Sequence, residues 1–248
     1  MTQISLFRAP NPGPMTLTGT NTWVVRTDNH LVVVDPGPAD RGHIEALRAF
    51  AIDAVLLTHK HADHAGGLSQ LADSVPVYAA DVALARGTNP LSGGELLRLG
   101  GCEISVIATP GHTDDSVSYA IPATAEGSVL LTGDTILGGR TSSLVSPHSG
   151  DLAALLRSLE ALAATSRSST RGLPGHGEPF GNVAAHAMNA LQHRRRRLDE
   201  LERLLRGNPE LNVAEIARMR HPSDPVLQRA SRSMLEIERQ HLRVTARI

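Results

Sequence analysis

The stretch from Thr58 to Gly67, Thr-His-Lys-His-Ala-Asp-His-Ala-Gly-Gly, constrains this chain more than any other. His59, His61, Asp63 and His64 put three imidazoles and one carboxylate within six residues. These are the side chains that hold a borderline metal through nitrogen and oxygen, and they are rarely crowded together without one. The apolar residues 54–57 in front of them read as a short buried strand that delivers the motif at its C-terminal end. His59 and His61 are two apart, so in extended backbone both rings point to one side and can grip one ion. A sharp turn must follow for Asp63 and His64 to come back, and Gly66 and Gly67 permit the close approach it needs. The natural reading is a second ion beside the first.

A zinc site needs at least three protein ligands, so the motif must draw partners from downstream. Three positions offer themselves: His112 in Thr-Pro-Gly-His-Thr-Asp-Asp, Asp134 in Leu-Leu-Thr-Gly-Asp-Thr, and His176 in Leu-Pro-Gly-His-Gly-Glu. Each follows an apolar run or a Pro-Gly turn, where a loop can converge on one edge of a sheet.

This ordered set resembles the metallo-β-lactamase superfamily of dinuclear zinc hydrolases. Residues 11–23 also resemble the opening segment of the branch that holds a mitochondrial lactamase-like endoribonuclease and discrete polyketide-releasing thioesterases. The likeness runs from about residue 11 to residue 179. It implies two zinc ions per chain, one on His59, His61 and His112, the other on Asp63, His64 and His176, with Asp134 bridging them. It also implies an α/β fold, a four-layer αββα sandwich with metals at one edge. Residues 1–181 would form the catalytic domain and residues 182–248 a small helical, faintly winged-helix-like appendage that walls the substrate groove.

Composition narrows the setting. The chain has 248 residues and a formal net charge of −1, so no global field draws it to nucleic acid or an anionic membrane. Cys102 is the only cysteine, which rules out an intramolecular disulfide; it opens an apolar run and reads as a buried, inert thiol. The first residues lack an export signal, and no stretch is apolar enough to span a bilayer, so a cytoplasmic location with no membrane contact is expected. Lys60 is the only lysine.

Along the chain, residues 11–19 read as a loop, and residues 22–26 and 31–34 as a hairpin joined by a turn at 27–30. Trp23 reads as a packing residue. Asn21 stands beside the expected pocket, either contacting substrate or serving its own backbone. Asp35, before Pro36-Gly37, either accepts from the outer nitrogen of a ligand histidine or merely opens the turn. Thr58 is a second group placed to tune the ligand imidazoles. A helix from Asp40 has Ile44, Leu47 and Ala51 on one face. Residues 66–73 continue as a short helix, 75–79 form a strand, 81–86 a helical turn, and 87–101 a linker with a helical piece at 95–99. Strands follow at 103–108, 117–121 and 129–131, then a loop at 137–143 bordering the pocket and an amphipathic helix at 151–163. His148, in a loop, is either a surface residue or a substrate contact. Residues 165–171 read as a polar loop. Residues 182–206 carry an apolar helical stripe interrupted by Arg194 to Arg197, either a binding patch for phosphate or an acidic carrier protein, or a solvated face balanced by Asp199, Glu200 and Glu202. Helices are expected at 213–219 and 225–241, with a final strand or coil.

Two adjacent zinc ions lower the pKa of a shared water, making hydroxide available at neutral pH, and polarise a carbonyl or phosphoryl oxygen. Asp63 and Asp134 are the catalytic carboxylates, the first orienting the nucleophile and the second holding the metals together. No Gly-x-Ser-x-Gly elbow is present. An ester or thioester, free or on a carrier protein, is the expected substrate, because the charge is near zero and aromatics are few (three Phe, two Tyr, one Trp). A single-strand endoribonuclease is the runner-up, an iron enzyme oxidising persulfides a third option, and a non-catalytic RNA-binding protein a fourth. Nothing in the sequence fixes an oligomeric state.

Overall fold

Apolar residues in this chain alternate along strands and recur at helical spacing, and the computed structural model shows where each set is buried. It describes residues 2–27, 29–71, 74–125, 127–139 and 145–248. The expected turn at 27–30, the end of the helix at 66–73 and most of the loop at 137–143 therefore fall partly outside the described residues.

The first sheet has the order β1 (Gln3–Arg8), β2 (Asn21–Arg26), β3 (Leu31–Val34), β4 (Ala54–Leu56), β5 (Val77–Tyr78). The second has the order β10 (Arg171–Pro174), β9 (Gly127–Gly133), β8 (Val117–Thr124), β7 (Cys102–Ala108), β6 (Leu96–Leu99). Strand β3 is buried on both faces, which explains its unbroken apolar run. Val32 and Val34 face the second sheet, packing with Ile104, Val106 and Leu131. Leu31 and Val33 face outward onto Ile44 and Leu47 of helix α1 (Arg41–Arg48). On the far side, Leu130 meets helices α3 (Leu152–Thr165) and α4 (Val183–Gly207), and the same apolar cluster continues into α5 (Val213–Arg220) and α6 (Pro225–Val244). The layers are therefore helix, sheet, sheet, helix, the αββα arrangement. The short helix α2 (Ala62–Ala65) lies at the edge of the first sheet.

Strands β3 and β4 run parallel, and β7, β9 and β10 share one direction through the antiparallel β8. Their C-terminal ends gather Asp35, His59, His112, Asp134 and His176 at one edge, the usual place for a site in an open α/β sheet. Val117 N–H donates to Thr58 O at 2.8 Å and ties the two sheets together there.

Several expectations need correction. Residues 95–99 are not helical: β6 pairs with β7, and Gly100 (φ 57°) and Gly101 (φ 79°) make the two-residue left-handed turn that joins them. Strands β1 and β10 occupy stretches where the sequence suggests no strand, β10 starting at the end of the expected polar loop at 165–171. Helix α1 is capped by Asp40 as expected, but it stops at Arg48, leaving Ala51 exposed beyond it. Gly66–Gln70 is a 3-10 segment rather than a regular helix. The expected strand at 75–79 shrinks to β5. Helix α6 runs on to Val244, and no strand follows it among the described residues. Trp23 is buried, with Nε1 donating to Pro174 O at 3.0 Å, and Cys102 is buried, its thiol pushed up by that burial. No helix among the described residues is long and apolar enough to cross a membrane.

Three arginines of the run, Arg194, Arg195 and Arg197, pair with acids of other helices. Arg194 is 2% exposed and faces Glu238 of α6, which is 0% exposed and also accepts from Arg197 Nε at 3.0 Å. Arg195 pairs with Glu160 of α3. Asp199 and Glu202 turn instead to Arg247 near the C-terminus. Leaving two guanidinium groups beside a neutral partner is costly, so Glu238→Gln should lower stability by about 2 kcal/mol. Arg195→Gln, at an exposed pair, should change it by less than about 0.5 kcal/mol in the same denaturant titration. Equal effects of the two would contradict this packing.

Candidate metal centre

Backbone turns at the shared edge bring every predicted ligand into one cluster. His59 Nε2 lies 3.1 Å from His61 Nδ1, which lies 3.0 Å from His112 Nε2. His176 Nε2 lies 3.2 Å from His64 Nε2 and 3.1 Å from Asp63 Oδ2. The donor atoms of His59, His61 and His112 all fall within 4.8 Å of one another, as do those of Asp63, His64 and His176. Asp134 sits between the two groups. Its Oδ2 is 3.6 Å from His112 Nε2 and 3.4 Å from His176 Nε2, while its Oδ1 is 3.5 Å from His64 Nε2.

The outward nitrogens are held by the fold. His64 Nδ1 donates to Asp35 Oδ2 at 2.8 Å, His59 Nδ1 contacts Thr58 Oγ1 at 3.0 Å, and His176 Nδ1 donates to Gly19 O at 3.3 Å. Such contacts fix the tautomer and aim the other nitrogen inward. Asp35 is buried and also accepts from the N–H and hydroxyl of Thr58, at 2.8 and 2.7 Å, so one carboxylate braces strand end and histidine together. It does so with φ at 54°, a strained conformation for a residue with a side chain.

Electrostatics separate the side chains into two kinds. Burial drives the His59 imidazole well below its ordinary pKa, and burial with repulsion from His112 takes His61 to about 4. Both are neutral, with a lone pair to share. Burial alone would raise the Asp134 carboxyl, but the charges of His64 and His176 take it well below the usual range. Asp63 is lowered as well: burial opposes ionisation, and the hydrogen bond to His176 together with the charges of His64 and His176 outweighs it. His176 goes the other way, to about 10, because Asp134 and Asp63 more than offset its burial.

Of the two candidate substrate contacts, Asn21 is completely buried, and its amide hydrogens go to Pro174 O and Gly177 O. His148 is exposed on the loop whose Ser146 N–H donates to His112 O at 2.8 Å. The Gly19 carbonyl was missed, and a backbone acceptor leaves no mark in a sequence.

The residues present fit divalent cations. Asp134 Oδ1 is buried without a hydrogen-bond partner, and the neutral His59 and His61 meet nitrogen to nitrogen beside it, an arrangement that a cation satisfies. A two-sheet sandwich with such a cluster at one edge defines the class: a metal centre carried on an αββα fold. Residues 15–86 match the Metallo-beta-lactamase superfamily. It is 29% identical over 231 residues to the beta-lactamase-like protein 2 homolog of Caenorhabditis elegans, covering 87% of this chain and 75% of that protein. It is 28% identical over 222 residues to the atrochrysone carboxyl ACP thioesterase of Passalora fulva, covering 83% of this chain and 64% of that protein. The chain spans 59% to 64% of the length of that thioesterase and of six further curated relatives. A metallo-beta-lactamase family protein of Thermus thermophilus shares the fold, with a TM-score of 0.79 at 22% identity, covering 98% of this chain and 94% of that one.

Proposed function

We propose that the protein is a dinuclear zinc hydrolase acting on an ester or thioester. The observation that carries this reading is Asp134, whose two oxygens face nitrogens of both ligand groups. His59, His61 and His112 would hold one ion, Asp63, His64 and His176 the other, and Asp134 would join them. When bound, such a pair supplies a water of lowered pKa and polarises the oxygen of the scissile group. The chain's own part is to hold and aim. Asp35, Thr58 and Gly19 lock three of the imidazoles, and burial keeps His59 and His61 neutral. Asp63, ionised and only part-buried, is placed to accept a hydrogen bond from an attacking water and to receive its proton at Oδ2.

Two observations favour an acyl substrate. One relative is named for action on a carrier-bound acyl group. Stacking on aromatics is the usual grip on single-stranded RNA, and none of the described Phe, Tyr or Trp side chains is exposed. The test is a turnover panel of an acyl thioester, a simple ester and a single-stranded RNA, with and without chelator. Thioester hydrolysis that chelator abolishes and added zinc restores is the expected result. RNA cleavage without acyl hydrolysis would overturn the substrate, full activity after stripping would overturn the metal, and iron in protein purified without added metal would overturn zinc.

A further inference from the structure

The loop after β10 carries His176 between two glycines, and the first sheet grips that loop from across the sandwich. Asn21, at the start of β2, donates from Nδ2 to Pro174 O at 3.0 Å and to Gly177 O at 2.7 Å, the carbonyls on either side of His176. Its backbone N–H donates to Gly175 O at 2.8 Å. Arg8 of β1 decides which way the amide faces. Its Nε donates to Asn21 Oδ1 at 3.2 Å, which turns Nδ2 toward the loop, and its Nη2 reaches Glu178 Oε1 at 2.8 Å just beyond. With both amide hydrogens on carbonyls inside a fully buried position, Asn21 has no free donor for a substrate.

We propose that Asn21, oriented by Arg8, is a positioning residue for one metal subsite, that of Asp63, His64 and His176, and sets its affinity separately from the other. The inference rests on the two-ion reading above. Removing the amide leaves Gly177 O without a donor and Pro174 O with Trp23 Nε1 alone, and the loop must shift to recover the lost contact. His176 then moves, and the ion keeps only Asp63, His64 and a share of Asp134, one imidazole fewer, so it is held less firmly. His59 and His61 stand in the segment after β4 and His112 on the loop after β7, outside this grip.

The test is titration of the chelator-stripped full chain with zinc, and with cobalt(II) to read each subsite by absorption. The wild-type chain should take up two ions. Asn21→Ala should bind the first within about twofold of wild type and the second at least about tenfold more weakly, the size usual for supporting contacts of ligands. The cobalt(II) band it retains should match that of His176→Ala. If circular dichroism shows Asn21→Ala unfolded, Arg8→Met decides, with a loss of about threefold confined to the second ion, since it loosens the amide without removing it. Two ions at wild-type affinity, or both weakened equally, overturns the proposal. A wild-type chain that binds a single ion overturns the two-ion reading itself, which separates the two failures.

Discussion

Asp134→Ala should slow turnover of the acyl substrate by at least about a thousandfold, roughly 4 kcal/mol of transition-state stabilisation, while the chain still folds. The reason lies in where its two oxygens point. Oδ1 faces His64 and Oδ2 faces both His112 and His176, so removing one carboxylate takes a ligand from each group at once. The groups also repel each other less with it present, because its negative charge lies among imidazoles that raise one another's charging cost. Metal analysis should show fewer than two ions per chain, and circular dichroism should be unchanged, because the strand that delivers it, β9, is secured by Val129, Leu130 and Leu131. Activity within tenfold of wild type would sink the claim that this residue joins two ions.

What the sequence revealed about this site follows from how local each signal is. His59, His61, Asp63 and His64 sit in one unbroken stretch, and His112, Asp134 and His176 each follow an apolar run or a Pro-Gly turn, so they stood out as punctuation. Of the contacts that aim them, Asp35 and Thr58 could be read at the strand ends beside the motif, while the others could not. Asn21 reaches Pro174 and Gly177 across 153 and 156 residues, and no local pattern announces such a partner. Strand β10 hid because it contains Gly172 and Pro174, both poor strand formers, and survives as the edge of its sheet. Strand β6 hid because four residues are too few to tell alternation from helical spacing. The arginine run is more legible than its charge alone suggests. Arg194 lies three after Leu191 and four before Leu198, squarely on the apolar stripe of α4, and only the acid that neutralises it, Glu238, lay out of sight on another helix.

Gly175→Ala should disable the centre although it removes no functional group. A Cβ at this position would lie 2.4 Å from Asp134 Oδ1 and 2.6 Å from His64 Cε1, closer than such atoms come in real proteins. Something must yield, and the neighbours are pinned. Gly175 N–H donates to Gly133 O at 2.8 Å, Asn21 holds the carbonyls around the loop, and His64 is anchored on Asp35 at 2.8 Å. Asp134 has the least to hold it, since its Oδ1 has no hydrogen-bond partner, so the added methyl should push that carboxylate off the nitrogens it faces. Overpacking of this kind costs about 1–3 kcal/mol in stability, and an ångström-scale misplacement in a centre of this type costs about a hundredfold in rate. Gly181→Ala is the control, because nothing lies within 4 Å of its added Cβ, and it should leave turnover, metal content and melting temperature unchanged. If Gly175→Ala kept two ions and full turnover, the space between Asp134 and His64 would be free to expand, and the rigid cradle on which the proposed centre depends would not exist.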